Sequence, residues 1–193
     1  MKRFALLALI ILSAFCASAQ TSKLIYKYQD PSTGHRSLGT SYTIVRTGMT
    51  DRHPLKISLL ALESADGWQY SIEISINEIV SRAVPQGAIM LLRTKSGEVL
   101  ELKNSLNEAQ SRDVVGEWIQ GTANKTYDNK ASYPVTLGQL QTISAGVSKV
   151  RLQLNGEYFD SDYKKDKFGS AIKDQLFVIE EYINTGGDLR QGF

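Results

Sequence analysis

The segment WQYSIEISIN, residues 68–77, constrains the fold of this chain more than any other stretch. Apolar and polar side chains alternate along it without a break, which is the period of two of a β-strand. One face of such a strand is apolar and the other is wet. Parallel strands are usually apolar on both faces, so the alternation predicts an antiparallel sheet with one face open to water. The apolar positions are Trp68, Tyr70, Ile72, Ile74 and Ile76.

Two hairpins are expected around this strand. LKISLLALE, residues 55–63, is joined to it through SADG, whose Asp-Gly pair is typical of a hairpin turn. IMLLRT and EVLELK, residues 89–94 and 98–103, flank the turn KSG in the same way. The four strands between Leu55 and Lys103 are therefore predicted to form a meander.

The chain outside these hairpins is predicted to contribute further strands and loops. KLIYKYQD, residues 23–30, is predicted to be an edge strand, and SYTIVR, residues 41–46, is short and β-branched, as strands often are. DPSTGHRSLGT, residues 30–40, is dense in Pro, Gly, Ser and Thr and is interpreted as a loop. The polar stretch 104–113 is interpreted as partly helical.

A short helix is predicted to begin after Thr136. Thr136 and Gln139 have the spacing of a capping box, in which each side chain bonds the backbone N–H of the other residue. Val135 and Leu140 fit a hydrophobic staple across the same turn. Gly146 stands where helices commonly end in a left-handed residue. Every special residue of this stretch is explained by the needs of the backbone, so we interpret it as scaffold.

A second helix is predicted near the C-terminus, after a hairpin of residues 147–160 that turns at Asn155-Gly156. Asp162 or Asp166 is expected to cap this helix or to complement its dipole. Gly186 and Gly187 end it, and residues 188–193 are expected to be a loose tail. Its apolar residues recur at helical spacing, at Phe168, Ile172, Leu176, Ile179 and Ile183.

These elements predict the fold class α+β. We expect a mostly antiparallel β-sheet, a meander of hairpins, with a short capped helix and a C-terminal amphipathic helix packed on one face. The helix is expected to cover the apolar face because an amphipathic stripe has to be buried against another element.

The first 19 residues have the features of a secretory signal peptide. Lys2 and Arg3 precede an apolar run that is shorter than the roughly 20 residues of a membrane span, and Ala17-Ser18-Ala19 offers a cleavage site. Cleavage there predicts an exported protein, periplasmic or extracellular, with one globular domain over residues 20–187. Lipidation of Cys16 is the alternative.

The mature chain predicted in this way is nearly neutral. Cleavage removes two basic residues and no acidic residue from totals of 22 and 20, which leaves 20 of each sign. A charge near zero gives no argument for nucleic acid as a partner. Cleavage also removes the single cysteine, so we expect neither disulfides nor thiolate chemistry.

Motifs for catalysis, cofactors and metals are missing from the sequence. His35 and His53 are the only histidines, both in turn-like stretches and without metal-ligand spacing. There is no G-x-S-x-G elbow, P-loop or G-x-G-x-x-G motif, so we predict no cofactor. Asp160 and Asp162 alternate as in an EF-hand loop, but Lys164 occupies the next ligand position, which argues against calcium.

The segment from Gly116 to Tyr133 is the candidate binding site. A strand is expected around Trp118, and the remainder is interpreted as a long irregular segment, a kind of segment that is often functional. Trp118, Tyr127 and Tyr133 lie in it among small polar residues, a composition that suits recognition. The alternative is that Trp118 and Ile119 fill the core and the remainder is a solvated connection.

The chain resembles small exported proteins, periplasmic or secreted, of Gram-negative bacteria in its signal peptide and general texture. This resemblance brings no functional residue with it. We expect a non-catalytic exported domain with a binding or structural role and an envelope protein or glycan as its partner. The alternatives are a carboxylate-based hydrolase of envelope or glycan substrates, and a carrier of small apolar ligands with a β-sheet pocket.

Overall fold

The computed structural model describes residues 23–46, 54–78, 84–106, 110–119, 122–154 and 157–186. The described residues form antiparallel sheets and two helices, so the predicted α+β class is confirmed. The signal peptide, His53, the Asn155-Gly156 turn and residues 188–193 lie outside them. The strands are β1 (Leu24–Gln29), β2 (Arg36–Thr40), β3 (Thr43–Arg46), β4 (Leu55–Ser64), β5 (Gly67–Glu78), β6 (Ile89–Thr94), β7 (Val99–Lys103), β8 (Gln110–Ile119), β9 (Thr122–Val135), β10 (Val147–Gln153) and β11 (Tyr158–Asp162), and the helices are α1 (Leu137–Ser144) and α2 (Phe168–Asn184).

The strands of the described residues belong to two antiparallel sheets rather than one. The larger sheet has the order β1-β2-β4-β5-β9-β8, and β3 pairs with β4 beside β2. The smaller sheet has the order β11-β10-β6-β7. The predicted meander is therefore wrong, because its first hairpin lies in the larger sheet and its second in the smaller one. The outer neighbour of β5 is β9, a strand about 50 residues later, rather than β6.

The two faces of the larger sheet differ as the alternation of β5 predicts. Ile57 and Ile74 are opposite each other on β4 and β5, and both are fully buried on the face that we refer to as the inner face. Lys56 and Glu73 are half-buried on the opposite, outer face. The hairpin between β4 and β5 is predicted correctly, and Gly67 has the positive φ of 111° that its turn requires.

Helix α2 packs on β2, β3 and β4 of the larger sheet. Its predicted apolar stripe is in the core, since Phe168, Ile172, Leu176 and Ile179 are buried. Of the two predicted caps, Asp166 is used: its Oδ1 accepts a hydrogen bond of 2.8 Å from the backbone N–H of Gly169. Asp162 instead ends β11.

Helix α1 begins and ends as its sequence predicts. The Oγ1 atom of Thr136 accepts from the backbone N–H of Gln139 at 3.2 Å, and Gln139 Oε1 accepts from the backbone N–H of Thr136 at 2.9 Å. Gly146 follows the helix with a positive φ of 136°. These bonds satisfy donors that every helix start leaves open.

The two helices meet at Gly169. An ideal Cβ atom on this residue would lie 2.5 Å from the carbonyl oxygen of Ile143 in α1 and 2.7 Å from Oδ2 of Asp166. No real Cβ contact is that short, so only glycine allows the helices to approach this closely. The start of α2 is therefore held against the end of α1 by backbone contact.

A buried glutamine connects α2 to the sheet. Gln175 is fully buried, and its Nε2 group donates to the carbonyl oxygen of Ile57 at 3.0 Å and to that of Ser41 at 3.3 Å. Ser41 lies between β2 and β3, where the pairing with β4 is interrupted. The side chain thus supplies donors to carbonyl groups at the interruption, which is how buried backbone groups avoid remaining unpaired.

Two predictions for irregular regions need correction. Residues 30–40 are not a loop throughout, because residues 36–40 form β2 beside β4. Residues 104–106 are irregular and 110–113 belong to β8, so no helix occurs in the described part of 104–113. In both cases pairing with a neighbouring strand overrides a composition that is typical of loops. Within the described ranges, no helix is long and apolar enough to cross a membrane.

Candidate binding surface

The segment 116–133 is not irregular. It contains the end of β8 and most of β9, which form a hairpin, and β9 also pairs with β5 from Tyr70 to Glu78. The residues TANKTYDNKASY look like a loop because Asn, Asp, Lys and Ser dominate them. Pairing on both sides makes them a strand nevertheless, since backbone hydrogen bonds do not depend on side-chain type.

Tyr133 is part of the core. It lies opposite Ile72 on the inner face and is fully buried, and burial raises the pKa of its hydroxyl group. This hydroxyl group has no hydrogen-bond partner within the described residues. Tyr133 is therefore placed to pack within the domain and not to contact a ligand.

Tyr127 and Trp118 lie toward the other end of the hairpin. Tyr127 is half-buried, and in the backbone register it is opposite Glu78 of β5 and Asp113 of β8. Trp118 is opposite Ala123. Tyr127 and Tyr133 are six residues apart on one strand, a distance of about 20 Å. The three aromatic residues thus do not form one site. A role of Trp118 or Tyr127 in recognition stays a prediction, and the side chain of Trp118 is outside the described part.

The outer face of the larger sheet brings together polar residues that the sequence does not single out. Tyr42 Oη donates to Glu73 Oε2 at 3.4 Å, and both side chains are half-buried. Burial raises the pKa of the Glu73 carboxyl group, against the opposing effects of Tyr42 and Lys130. Burial, together with the nearby Glu73 carboxylate, raises the pKa of Tyr42 to about 12. At neutral pH the phenol is protonated and can act as a donor.

A second carboxylate lies near the same phenol. Asp128 accepts a hydrogen bond of 2.5 Å from Ser75 Oγ and is 3.7 Å from the Nζ atom of Lys130. Its charge also contributes to the raised pKa of Tyr42. We refer to Tyr42, Glu73, Ser75, Asp128 and Lys130 as the polar cluster.

Exposed apolar side chains occupy the same face toward β1. Tyr26 and Tyr28 stack with ring centroids 6.5 Å apart and an angle of 21° between the rings. They are 47% and 50% exposed. Tyr28 lies opposite Ser37 of β2, and Ser37 lies opposite Leu62 of β4, which is 40% exposed. Because the side chain of Ser37 is small, the surface between Tyr28 and Leu62 is shallow.

A glycine separates the neighbouring tyrosine and leucine on the same face of the sheet. Gly39 lies between Tyr26 and Leu60, and an ideal Cβ atom on it would be 3.3 Å from the Cβ of Tyr26 and 3.8 Å from Cδ1 of Leu60. Both larger side chains therefore lie close to the position above the glycine. We refer to the resulting surface as the tyrosine–leucine patch, which consists of Tyr26, Tyr28, Leu60 and Leu62.

The strand that carries the tyrosines is an edge of the larger sheet, as the sequence predicts. Its only charged side chain, Lys27, lies with Nζ 4.9 Å from the ring centroid of Tyr182 in α2. Ile25 of the same strand is exposed. Edge strands are usually protected by charges or prolines, and here the one charge is directed over an aromatic ring of the same molecule.

The strands near the patch are fixed by an ion pair on the inner face. The guanidinium group of Arg36 donates to both carboxylate oxygens of Glu63 at 2.9 Å and 3.0 Å, and it lies 5.2 Å from the ring centroid of Trp68. The hydrogen bonds from Arg36 lower the pKa of Glu63. Such bidentate pairs fix geometry as well as charge, so β2, β4 and β5 are held in register beneath the patch.

A small cavity of about 210 Å³ touches the patch at Tyr28, beside Lys27 and Tyr182. Two larger cavities lie away from the patch. A cavity of about 570 Å³ is lined mainly by charged residues between Asp160 and Lys167. Another, of about 440 Å³, has the apolar lining that the carrier hypothesis needs, with Trp68, Pro134 and Leu137 in its wall. Both volumes fall in the range of small-molecule pockets.

Asp160 is already engaged within the protein. Arg151 donates to both of its carboxylate oxygens at 2.6 Å and 2.7 Å, and Lys149 is 3.3 Å away. The hydrogen bonds from Arg151 lower the pKa of Asp160 to about 2. The described residues contain no group of three or more His, Cys, Asp or Glu side chains that could hold a metal ion.

No family model, curated protein or solved structure matches this chain. The sequence does not reveal the patch, because the exposure of a tyrosine or leucine cannot be read from a short strand. The one available signal was the prediction of an edge strand at KLIYKYQD, which contains both tyrosines.

Proposed function

We propose that this protein is an exported, non-catalytic binding module and that it binds a protein of the cell envelope through the tyrosine–leucine patch. The observation that carries the proposal is the arrangement of the patch. Two stacked, half-exposed tyrosines on β1 and two leucines on β4 share one face of the sheet, with only Ser37 and Gly39 of β2 between them. Contiguous exposed apolar surface is uncommon on isolated domains and often marks a site of interaction.

The composition of the patch supports a protein partner. Tyrosine is enriched in protein interfaces because it offers a large contact area, a polar hydroxyl group and few rotatable bonds. The scaffold below the patch is held by the bidentate Arg36–Glu63 pair, and Tyr26 and Leu60 both lie close above Gly39. A rigid surface loses little conformational entropy when it binds, which favours affinity.

A photo-crosslinking experiment in the native host tests the proposal. A photoreactive phenylalanine analogue replaces Tyr28, and in a matched control it replaces Tyr158, a 67% exposed tyrosine on the smaller sheet. We expect a defined crosslinked product from position 28 and none from position 158. The product at position 28 should be lost when Leu62→Ser is added.

Two crosslinking results would contradict the proposal, and a third would change the kind of partner. Equal products at both positions, or none at position 28 in the host, contradict the proposal. A product that carries a glycan rather than a polypeptide excludes the protein partner and favours a glycan-binding module.

A carboxylate-based hydrolase is the second candidate, and the polar cluster is the observation that favours it. General acids in such enzymes are carboxyl groups with raised pKa values near a second carboxylate. Glu73 has a raised pKa, and Asp128 acts on the same Tyr42 phenol. In this reaction Glu73 would donate a proton to the leaving oxygen, and Asp128 would act as base or nucleophile.

Release of reducing ends from purified envelope polysaccharide tests this candidate. If the protein is a hydrolase, Glu73→Gln should abolish release, and Glu101→Gln on the exposed face of β7 should leave it unchanged. Wild-type protein that releases no more than the Glu73→Gln variant excludes hydrolysis of that polysaccharide by this cluster.

A further inference from the structure

We propose that the partner binds as an extended strand that adds to the free edge of β1, with its apolar side chains on the tyrosine–leucine patch and acidic side chains toward Lys27. This inference rests on the proposed function and names its mode of recognition. Addition of a strand to a sheet edge obtains affinity from main-chain hydrogen bonds and specificity from alternate side chains.

Among the described residues β1 pairs only with β2, so its other side leaves backbone groups without a partner strand at defined residues. The backbone N–H of Asp30 donates to the carbonyl oxygen of His35 at 2.9 Å, so Asp30 faces β2. Residues of an antiparallel strand face their neighbour alternately. Tyr28 therefore also bonds β2, whereas the N–H and C=O groups of Lys27 and Gln29 point away from the sheet. An added strand would pair with these two residues.

Side chains on both faces of this edge suit such a strand. Residues of the added strand that point to the outer face would lie beside Tyr26 and Tyr28, whose rings are half exposed. Residues that point to the inner face would lie beside Lys27, which is already held over Tyr182. The partner strand thus alternates apolar residues with residues that complement an ammonium group.

The charges near β1 select acidic over basic residues. Lys23 precedes the strand and Lys27 lies in it. Asp30, the nearest carboxylate along the chain, accepts hydrogen bonds from the backbone N–H and the hydroxyl group of Ser32 at 2.8 Å and 2.6 Å. The lysines therefore have no acidic neighbour within β1, and a Glu or Asp of the partner strand would supply one.

A second copy of this chain fits the edge less well. Two β1 strands related by a two-fold axis at Lys27 would place the two lysines directly opposite each other, and like charges opposite each other are destabilising. An axis at Tyr26 would instead place Lys27 opposite Ile25 of the other copy. Neither register provides the lysine with a carboxylate.

Synthetic peptides and two variants at one residue test the inference. The probe is an acetylated and amidated nine-residue peptide in which Val and Glu alternate, and its control has Lys in place of Glu. Gln29→Pro removes the outward N–H, whereas Gln29→Ala keeps it, and both remove the bond from Gln29 Nε2 to the Gly34 carbonyl group. Proline is tolerated on an edge strand when its nitrogen faces solvent.

Isothermal titration calorimetry of the mature protein should show binding of the Val-Glu peptide to wild type and to Gln29→Ala. We expect affinity at least about tenfold lower for Gln29→Pro and for the Val-Lys peptide. In proton–nitrogen NMR spectra, the peptide should slow hydrogen exchange at the amides of Lys27 and Gln29, whereas the Tyr28 amide is protected before it is added. Thermal melts should show that both variants fold.

Three results would overturn the inference. One is equal affinity of the Gln29→Pro and Gln29→Ala variants, and another is absence of binding by the Val-Glu peptide. The third is a dimer in light scattering whose Lys27 and Gln29 amides are protected without peptide, because a second copy then occupies the edge. A crosslinked protein at position 28 together with any of these results would leave the proposed function standing and reject only strand addition.

Discussion

Gly169→Ala is the most direct test of how the two helices are joined. Alanine adds one methyl group at a position where its carbon would lie 2.5 Å from the carbonyl oxygen of Ile143. An ordinary carbon–oxygen contact is about 3.4 Å, so α1 and α2 would have to separate locally by nearly 1 Å. Asp166, which caps α2 and is also within 2.7 Å of the added carbon, would have to move too.

The expected loss of stability is about 1–2 kcal/mol. Overpacking of a rigid contact costs about 1–3 kcal/mol. Alanine in a helix is favoured over glycine by up to about 1 kcal/mol, which offsets part of this cost. For a domain of this size, the net loss corresponds to a decrease in Tm of roughly 2–8 °C.

Gly138→Ala in α1 is the matched control. Its added methyl group would meet only Thr136 Oγ1, at 4.0 Å. The same substitution should therefore raise stability by about 0.5–1 kcal/mol, because only the helix preference of alanine remains. Urea unfolding followed by circular dichroism measures both variants. A Gly169→Ala protein as stable as wild type would refute the close backbone approach of the helices.

Four further predictions concern burial and export. Burial raises the pKa of Glu73 in the folded chain, so ionisation of Glu73 opposes folding once the pH exceeds the ordinary carboxyl value. The Glu73→Gln variant should therefore gain stability relative to wild type as the pH rises from about 4 to about 7. A stability difference in urea unfolding that stays constant over this pH range would contradict the prediction. Tyr133→Phe should leave stability unchanged or raise it by up to about 1 kcal/mol, because it removes a buried hydroxyl group that has no hydrogen-bond partner among the described residues. A loss of more than about 1 kcal/mol would indicate that this hydroxyl group is hydrogen-bonded. Leu176→Asp, at a 6% exposed position, should lower the free energy of unfolding by about 3 kcal/mol or more, because it buries an unpaired charge. Phe177→Asp, at a 64% exposed position, should lower it by less than about 0.5 kcal/mol. Similar melting temperatures for the two variants would show that the apolar stripe of α2 is not buried. Mass spectrometry of the protein from its native host should find Gln20 at the N-terminus, and a diacylglyceryl group on Cys16 would contradict signal-peptide cleavage after Ala19.

Local features of this protein are predictable because they depend on neighbours in the sequence. The alternation in β5 predicts a strand and assigns its faces, since side chains of an extended backbone alternate whatever the partner strand is. The capping box at Thr136 and Gln139 involves atoms three residues apart, and it is present as predicted. The stripe of α2 is predictable for the same reason.

The choice of strand partners was decided only in the tertiary structure. Backbone hydrogen bonds are the same for every residue type except proline, so they do not encode that β5 pairs with β9 rather than with β6. The polar composition of β9 conceals a strand that its two neighbours stabilise. The local pattern therefore predicts a meander, and this prediction is wrong because β5 pairs with the distant strand β9.

The candidate binding surface likewise depends partly on local sequence and partly on contacts between distant parts of the chain. The sequence by itself determined that β1 is an extended edge segment with two tyrosines two residues apart, which must point to the same face. Only the tertiary structure decided that these tyrosines stand beside Leu60 and Leu62, two strands away, and that no helix of the described chain covers them. Exposure depends on what packs against a residue from distant parts of the chain, and this is the physical reason why Tyr26 and Tyr28 become a candidate surface while Tyr133 becomes core.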